Sequence, residues 1–261
     1  ASSGCDLNGM AVKNAIDRLK SRLAGVFITE MAGLQPGKIL LQENVVFENN
    51  FVYEKTEPLE KIQFSSLCKT AQLNRVSLSA TGFYKTPGIY FDRDTGQGNP
   101  FHYYTFGMAV SEVMIDVLTG RHTLLRTDIL HDTGDPLNER IDRGQIEGGF
   151  IQGMGWCTTE EIKWDRDGNL LTHSPDTYKI PTVGDIPGDF RVEFLKGVPN
   201  PGTIRGSKAV GEPPFMLGLS VWLAIKDAIS AVGNHKTEPE FSLPATGEVI
   251  LLSAEKLKCV I

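Results

Sequence analysis

Gly144, Gly148, Gly149, Gly153 and Gly155 crowd into a stretch that otherwise reads as a helix, from Arg143 to about Cys157 with Asp142 as its cap. A glycine in a helix interior costs about 1 kcal/mol relative to alanine, so five together need a reason to keep side chains away. The spacing from Gly144 to Gly148 and from Gly149 to Gly153 clears one face of the helix. Either another segment packs closely against the bare backbone, or a flat ligand lies along it. Gln145 and Gln152 project from the same side, where their amides could bond a heteroaromatic ring or an oxo group. Close packing with exposed glutamines fits the pattern equally well. The glycines lie within the helix and not in a strand-to-helix turn, so they are not a dinucleotide fingerprint.

A second stretch, Gly206 to Phe215, sets the lone carboxylate of Glu212 between Gly211 and the pair Pro213–Pro214. It stands just ahead of an apolar segment, Phe215 to Val232, that reads as a buried helix. Proline restricts the residue before it, which predicts an extended Glu212, and Gly211 lets the backbone pass close to whatever lies opposite. In a closed, dry pocket the loss of water disfavours the charged carboxylate and brings it toward the range of a general base. A glutamate that only favours the positive end of a helix dipole accounts for the local pattern as well.

The chain of 261 residues can bury a substantial core, as one large domain or two smaller ones. With 26 basic against 32 acidic residues, its net charge of −6 offers no basic stripe for nucleic acid and no polybasic membrane patch. The apolar runs are expected to fall short of a membrane span of about 20 residues. Cys5, Cys68, Cys157 and Cys259 are scattered without metal-ligand spacing, which points to free thiols in a reducing, cytoplasmic compartment. Opening at Ala1 without an initiator methionine or signal sequence, the chain reads as a piece of a longer polypeptide.

Along the chain, Ala1 to Cys5 forms a small-residue loop ahead of an amphipathic helix over about 7–24, with Asp6 as cap. Such a loop suits an anion, although from these residues alone an ordinary cap is the favoured reading. Residues 25–36 read as irregular. A hairpin of Lys38–Val46 and Phe51–Glu54 turns at Glu48, Asn49 and Asn50, and a short helix follows over Phe64–Leu73. Strands are expected at Arg75–Tyr84, Phe101–Val117, His122–His131 and Phe190–Leu195, with a further hairpin of Thr158–Asp165 and Asn169–His173. His102 and His131 read as strand or core residues. Leu243–Leu251 is a final short helix or edge element. Strands and helices alternate without a regular βαβ rhythm, so the fold class is α+β, mixed sheets with flanking helices.

Taken in order, Ala1–Ser3 with Asp6–Gly9, Thr81–Pro87, Gly98–Gly120, Leu125–Asn138, Gly144–Gly155, Thr177–Pro187 and Ser207–Pro214 resemble the xanthine dehydrogenase/oxidase family. The resemblance is to the C-terminal portion of its molybdenum cofactor-binding domain and spans most of the chain outside 25–74, which would be a peripheral, hairpin-containing excursion. It implies that Glu212 is the general base, activating a water-derived oxygen at a molybdenum centre for the hydroxylation of purines, hypoxanthine and xanthine, toward urate. It implies that Ala1, Ser2, Ser3, Gly4 and Cys5, with Gln145, hold the molybdopterin. The pterin dithiolene ligates the metal, so no metal-binding side chain is expected. Expected partners are the N-terminal part of the same domain with the substrate-gripping residues, 2Fe–2S and FAD domains or subunits, NAD or O2 as acceptor, and a second copy of the assembly. An aldehyde or other N-heterocycle hydroxylase shares this base chemistry, and a cofactor-holding module without turnover is the remaining alternative.

Overall fold

The computed structural model describes residues 3–35, 37 and 39–258. Two compact units divide the chain, one formed by residues 4–100 and the other by 101–261 with the first three residues.

In the unit 4–100, a π-helical turn (Gly4–Gly9) runs into helix α1 (Met10–Leu34). The helix thus passes straight through Gly25 and the region expected to be irregular, and Asp6 lies inside the opening turn instead of capping it. Burial decides this: Leu23, Val26, Phe27 and Met31 recur at helical spacing on both sides of Gly25 and form the core with Val52, Leu67 and Ala71. Their packing outweighs the cost of one glycine. Strands β1 (Val45–Glu48) and β2 (Phe51–Glu54) form the expected hairpin, although Lys38 lies outside the described residues. Asn49 and Asn50, at φ 48° and 64°, give the two-residue turn that matches strand twist. Strand β3 (Lys61–Gln63) pairs with β2, and α2 (Phe64–Leu73) follows as expected.

Residues 76–84 form no strand, correcting the one expected at Arg75–Tyr84. Arg75 turns the chain at φ 57°, and arginines of α1 take the place of a neighbouring strand. Arg18 donates to Thr81 O (2.9 Å) and Arg22 to Ser77 O and Ser79 O (3.3 and 2.7 Å). A small exposed hairpin, β4 (Tyr90–Asp92) with β5 (Gln97–Asn99), completes this unit.

The other unit is built on a three-stranded mixed sheet. Strand β6 (Gly107–Ile115) pairs antiparallel with β7 (His122–His131), with a register shift between Glu112 and Val113. The chain then forms α3 (Glu139–Thr158) and returns as β8 (Asp189–Phe194), parallel to β7. Leu124, Ile129 and Val192 of the sheet pack against Ile146, Phe150 and Met154 of α3. They also meet Val221, Ile225 and Ile229 of α4 (Leu219–Val232) and Ile250 and Leu257 of α5 (Gly247–Lys258). The opposite sheet face carries exposed Met108, Val110 and Leu130 and the ion pairs Arg126–Asp128 and Arg191–Asp189.

Several expectations change here. Asn138, not Asp142, caps α3, accepting from Arg140 N (3.1 Å) and Ile141 N (3.3 Å). The hairpin expected around residues 165–168 reduces to a single bridge, Trp164–Leu170, because Thr158 ends α3. The apolar stretch does reach spanning length: Pro213–Val232 is 20 residues long with a mean hydropathy of 1.6. Only one stripe of α4 is fully buried, through Val221, Ile225 and Ile229, while Leu223 is exposed.

Candidate active site

The site grows from the C-terminal end of β7. Asp132, fully buried, accepts from Gly134 N (2.9 Å) and turns the chain. Gly134 and Gly206 sit opposite each other at φ 61° and 78°, so close that a Cβ on Gly134 would collide with Gly206 O. Asp135 N donates to Gly206 O (2.9 Å) and Lys208 N to Thr133 O (2.9 Å), fastening the loop 206–212 to the strand end. Lys208 Nζ donates to Asp132 Oδ2 and to Tyr104 O (3.1 Å), and Tyr103 Oη accepts from Ala209 N (2.8 Å).

Beyond this anchor the loop reaches α3. Gly211 O and Pro214 Cβ lie 3.4 and 3.3 Å from where a Cβ on Gly149 would stand. A short 3-10 helix, Pro213–Gly218, then lies directly on α3. A Cβ at Gly153 would overlap Phe215 O, a Cβ at Gly218 would overlap the backbone of Gly153 and Met154, and Trp156 meets Phe215 edge-on at 4.8 Å. Gly155 faces Glu160 and Pro181. These three glycines of α3 therefore serve close packing. Gly144 and Gly148 differ: an added Cβ there meets nothing within 4 Å. Close packing accounts for Gly149, Gly153 and Gly155, while Gly144 and Gly148 face open space flanked by exposed Gln145 and Gln152.

Glu212 stands where the loop joins the 3-10 helix, at φ −112° and ψ −36°. It is helical and exposed, not extended. The turn that seats Pro214 and Phe215 on α3 overrides the preference imposed by Pro213. The dry pocket expected around this carboxylate is not closed by the described residues of this chain.

Gln145 lies one turn of α3 ahead of Gly149, so the structure brings it and the Glu212 loop onto one helix. Gly4 and Cys5, both exposed, open the other unit as the first residues of its helix, not as a loop ahead of it, and Ser3 is exposed. Ala1 and Ser2 lie outside the described residues, as does Cys259. His131 is buried at the end of β7, and burial pushes its imidazole below the usual histidine range. His102 is half-buried beside Gly202 in the irregular segment that precedes β6. Sequence reasoning missed Lys208, Asp132 and Tyr103; the only signal was their place within Gly98–Gly120, Leu125–Asn138 and Ser207–Pro214. A cavity of about 470 Å³ between Ile162, Trp164, Tyr178 and Ile180 includes none of these groups.

Residues 1–187 match the family described as the molybdopterin cofactor-binding domain. The chain belongs to that family. Its match takes in the unit 4–100 and, in the other unit, β6, β7 and α3, and ends before β8 and the Glu212 loop. Among curated relatives, a xanthine dehydrogenase/oxidase of Felis catus is 51% identical over 209 residues, 76% of this chain and 16% of that protein. A xanthine dehydrogenase of Oryza sativa subsp. japonica is 54% identical over 201 residues, 73% of this chain and 15% of that protein. One from Dictyostelium discoideum is 42% identical over 259 residues, 97% and 17% respectively. The chain thus spans roughly a sixth of these relatives. A quinoline 2-oxidoreductase from Pseudomonas Putida 86 shares the fold at a TM-score of 0.73 and 25% identity, over 92% of this chain and 28% of that one. A Cu,Mo-CO dehydrogenase superposes at 0.75 over 97% of this chain and 29% of that one; its 23% identity speaks to fold alone.

The open part of α3 fits a molybdopterin. Gly144 and Gly148 leave a bare backbone for a flat ring system, and the Gln145 amide offers both a donor and an acceptor. Among the described residues no group of three or more His, Cys, Asp or Glu is placed to hold a metal ion.

Proposed function

We propose that this chain is part of a molybdenum hydroxylase that oxidises purines, with Glu212 as its general base. The observation that carries the proposal is the seating of Gly211, Pro214 and Phe215, on either side of Glu212, on Gly149 of α3, next to the open glycines. Identities of 42–54% to xanthine dehydrogenases support purines as the substrate class. Bound molybdopterin supplies a Lewis-acidic metal that accepts two electrons. The chain's own residues bind and position. Gln145 would hydrogen-bond the pterin, Gly144 and Gly148 would give it room, and Ala1, Ser2, Ser3, Gly4 and Cys5 would contribute hydroxyls and amides from the start of the chain.

A carboxylate oxygen of Glu212 accepts the proton of the water-derived nucleophile. The prolines at 213 and 214 restrain the chain on one side of it, and the anchor to β7 restrains it on the other. The walls that exclude water from the exposed carboxylate come from the N-terminal part of the same cofactor domain. The 2Fe–2S and FAD domains or subunits of a dimeric, cytoplasmic assembly would supply the route for the electrons, with NAD or O2 as acceptor. Cys5, Cys68 and Cys157 are free thiols, which suits a reducing compartment.

Glu212→Gln keeps the size and removes the base. In the complete assembly, xanthine oxidation per bound molybdenum should fall by about 10²- to 10⁴-fold or more. Retained activity with normal molybdenum content would remove Glu212 from the chemistry and leave the chain a cofactor-holding role.

A further inference from the structure

We propose that Lys208 is the positioning residue of the Glu212 carboxylate, acting through its buried ion pair with Asp132. The inference rests on the reading of Glu212 as base and concerns what sets that base in place.

Lys208 precedes Glu212 by four residues, and its side chain is 9% exposed against 0% for Asp132. A lysine so deeply buried must have its charge met, and here every group around it belongs to the frame of the loop. Nζ reaches Asp132 and Tyr104 O and lies 5.7 Å from the ring centre of Phe106. Asp132 divides its oxygens between Lys208 and the Gly134 amide, so a single carboxylate holds both the loop and the turn at the end of β7. The main chain is tied at the same place, Lys208 N to Thr133 O and Ala209 N to Tyr103 Oη. On the far side, Pro214 and Phe215 are seated on Gly149 and Gly153. Only Val210, Gly211, Glu212 and Pro213 span the interval between the two fixed ends; Val210 is itself buried and Pro213 has its φ fixed by its ring. Gly211 has the freest backbone of the four, so the distance between the ends sets where Glu212 can stand. Loss of the Lys208 charge leaves the Asp132 carboxylate buried without its cation, and the strand-side end of the loop must move to rehydrate it.

The test compares Lys208→Met, Glu212→Gln and the double variant in the complete enzyme, each normalised to bound molybdenum. Amide hydrogen exchange over residues 207–213 is read in parallel. Lys208→Met should lower kcat by about 100-fold with KM nearly unchanged, the signature of a misplaced group that acts in the transition state. Exchange at the Lys208 and Ala209 amides should quicken while that of α3 stays slow. In the Glu212→Gln background the same substitution should cost nothing further, because there is no base left to misplace.

Independent, multiplying losses would overturn the proposal, as would full kcat per molybdenum in Lys208→Met beside an inactive Glu212→Gln, which leaves the base assignment standing. An active Glu212→Gln would remove the base assignment and this proposal with it. Should Lys208→Met fail to assemble, Lys208→Met with Asp132→Asn removes both charges together and must show the same loss of kcat; retained kcat there overturns the proposal.

Discussion

The contact between α3 and the 3-10 helix after Glu212 can be probed with one methyl group. In Gly153→Ala the new Cβ would lie 2.9 Å from Phe215 C and closer still to Phe215 O, where real Cβ contacts begin near 3.0 Å. Both sides of the clash are backbone, and Gly218 presses on the same turn from the other direction. No rotamer change relieves it, so the segments must part by on the order of 1 Å. Overpacking of this kind costs about 3 kcal/mol, and alanine's better helix propensity returns about 1, leaving a net loss of about 2 kcal/mol. For a domain of this size that lowers Tm by roughly 4–8 °C. Since the displaced segment begins at Glu212, kcat per molybdenum should drop about 100-fold as well. Gly148→Ala, five residues earlier on the same helix, is the control: its Cβ meets nothing within 4 Å. It should raise stability by up to about 1 kcal/mol and, if the proposed function holds, lower molybdenum content by filling the open space at Gly148. Thermal unfolding with metal analysis separates the two. A Gly153→Ala protein as stable and active as its parent would refute the packing argument.

Two further outcomes follow from the unit 101–261. Asn138→Ala removes the side-chain acceptor for Arg140 N and Ile141 N and should cost about 1 kcal/mol in denaturant unfolding, whereas Asn138→Asp should be nearly neutral. Burial depresses the imidazole of His131, so the unfolded chain binds its proton more readily. Stability from this group is complete above about pH 6.5 and declines as pH falls through the depressed folded value; His131→Gln should flatten that acid limb in pH-dependent unfolding.

Local signals were enough wherever neighbours in sequence decide the structure. Asn49–Asn50 marks the hairpin turn, and α2 and β7 run over Phe64–Leu73 and His122–His131 as expected. Gly25 misleads because the packing that holds α1 together lies in Val52, Leu67 and Ala71, far along the chain. Residues 75–84 mislead because the backbone there found arginine side chains in place of a strand partner. At the site, the sequence offered two explanations for the glycine helix without dividing them by residue. Only the position of Phe215 and Gly211 against Gly153 and Gly149 separates packing glycines from open ones. Glu212 was visible through its motif, whereas the Lys208–Asp132 pair joins residues 76 positions apart that no local pattern connects.

That separation also orders events during folding. The loop before Glu212 is tied to residues 76 and 106 positions upstream, across the whole β7–α3–β8 crossover. Contacts of such long range repay their chain-closure entropy only after the intervening segments have formed, so they condense late. During synthesis, the sheet and α3 leave the ribosome before the turn that seats on Gly149. The nascent domain therefore passes through a stage in which α3 is built while Gly149 and Gly153 are still bare, before Gly211–Gly218 packs onto them.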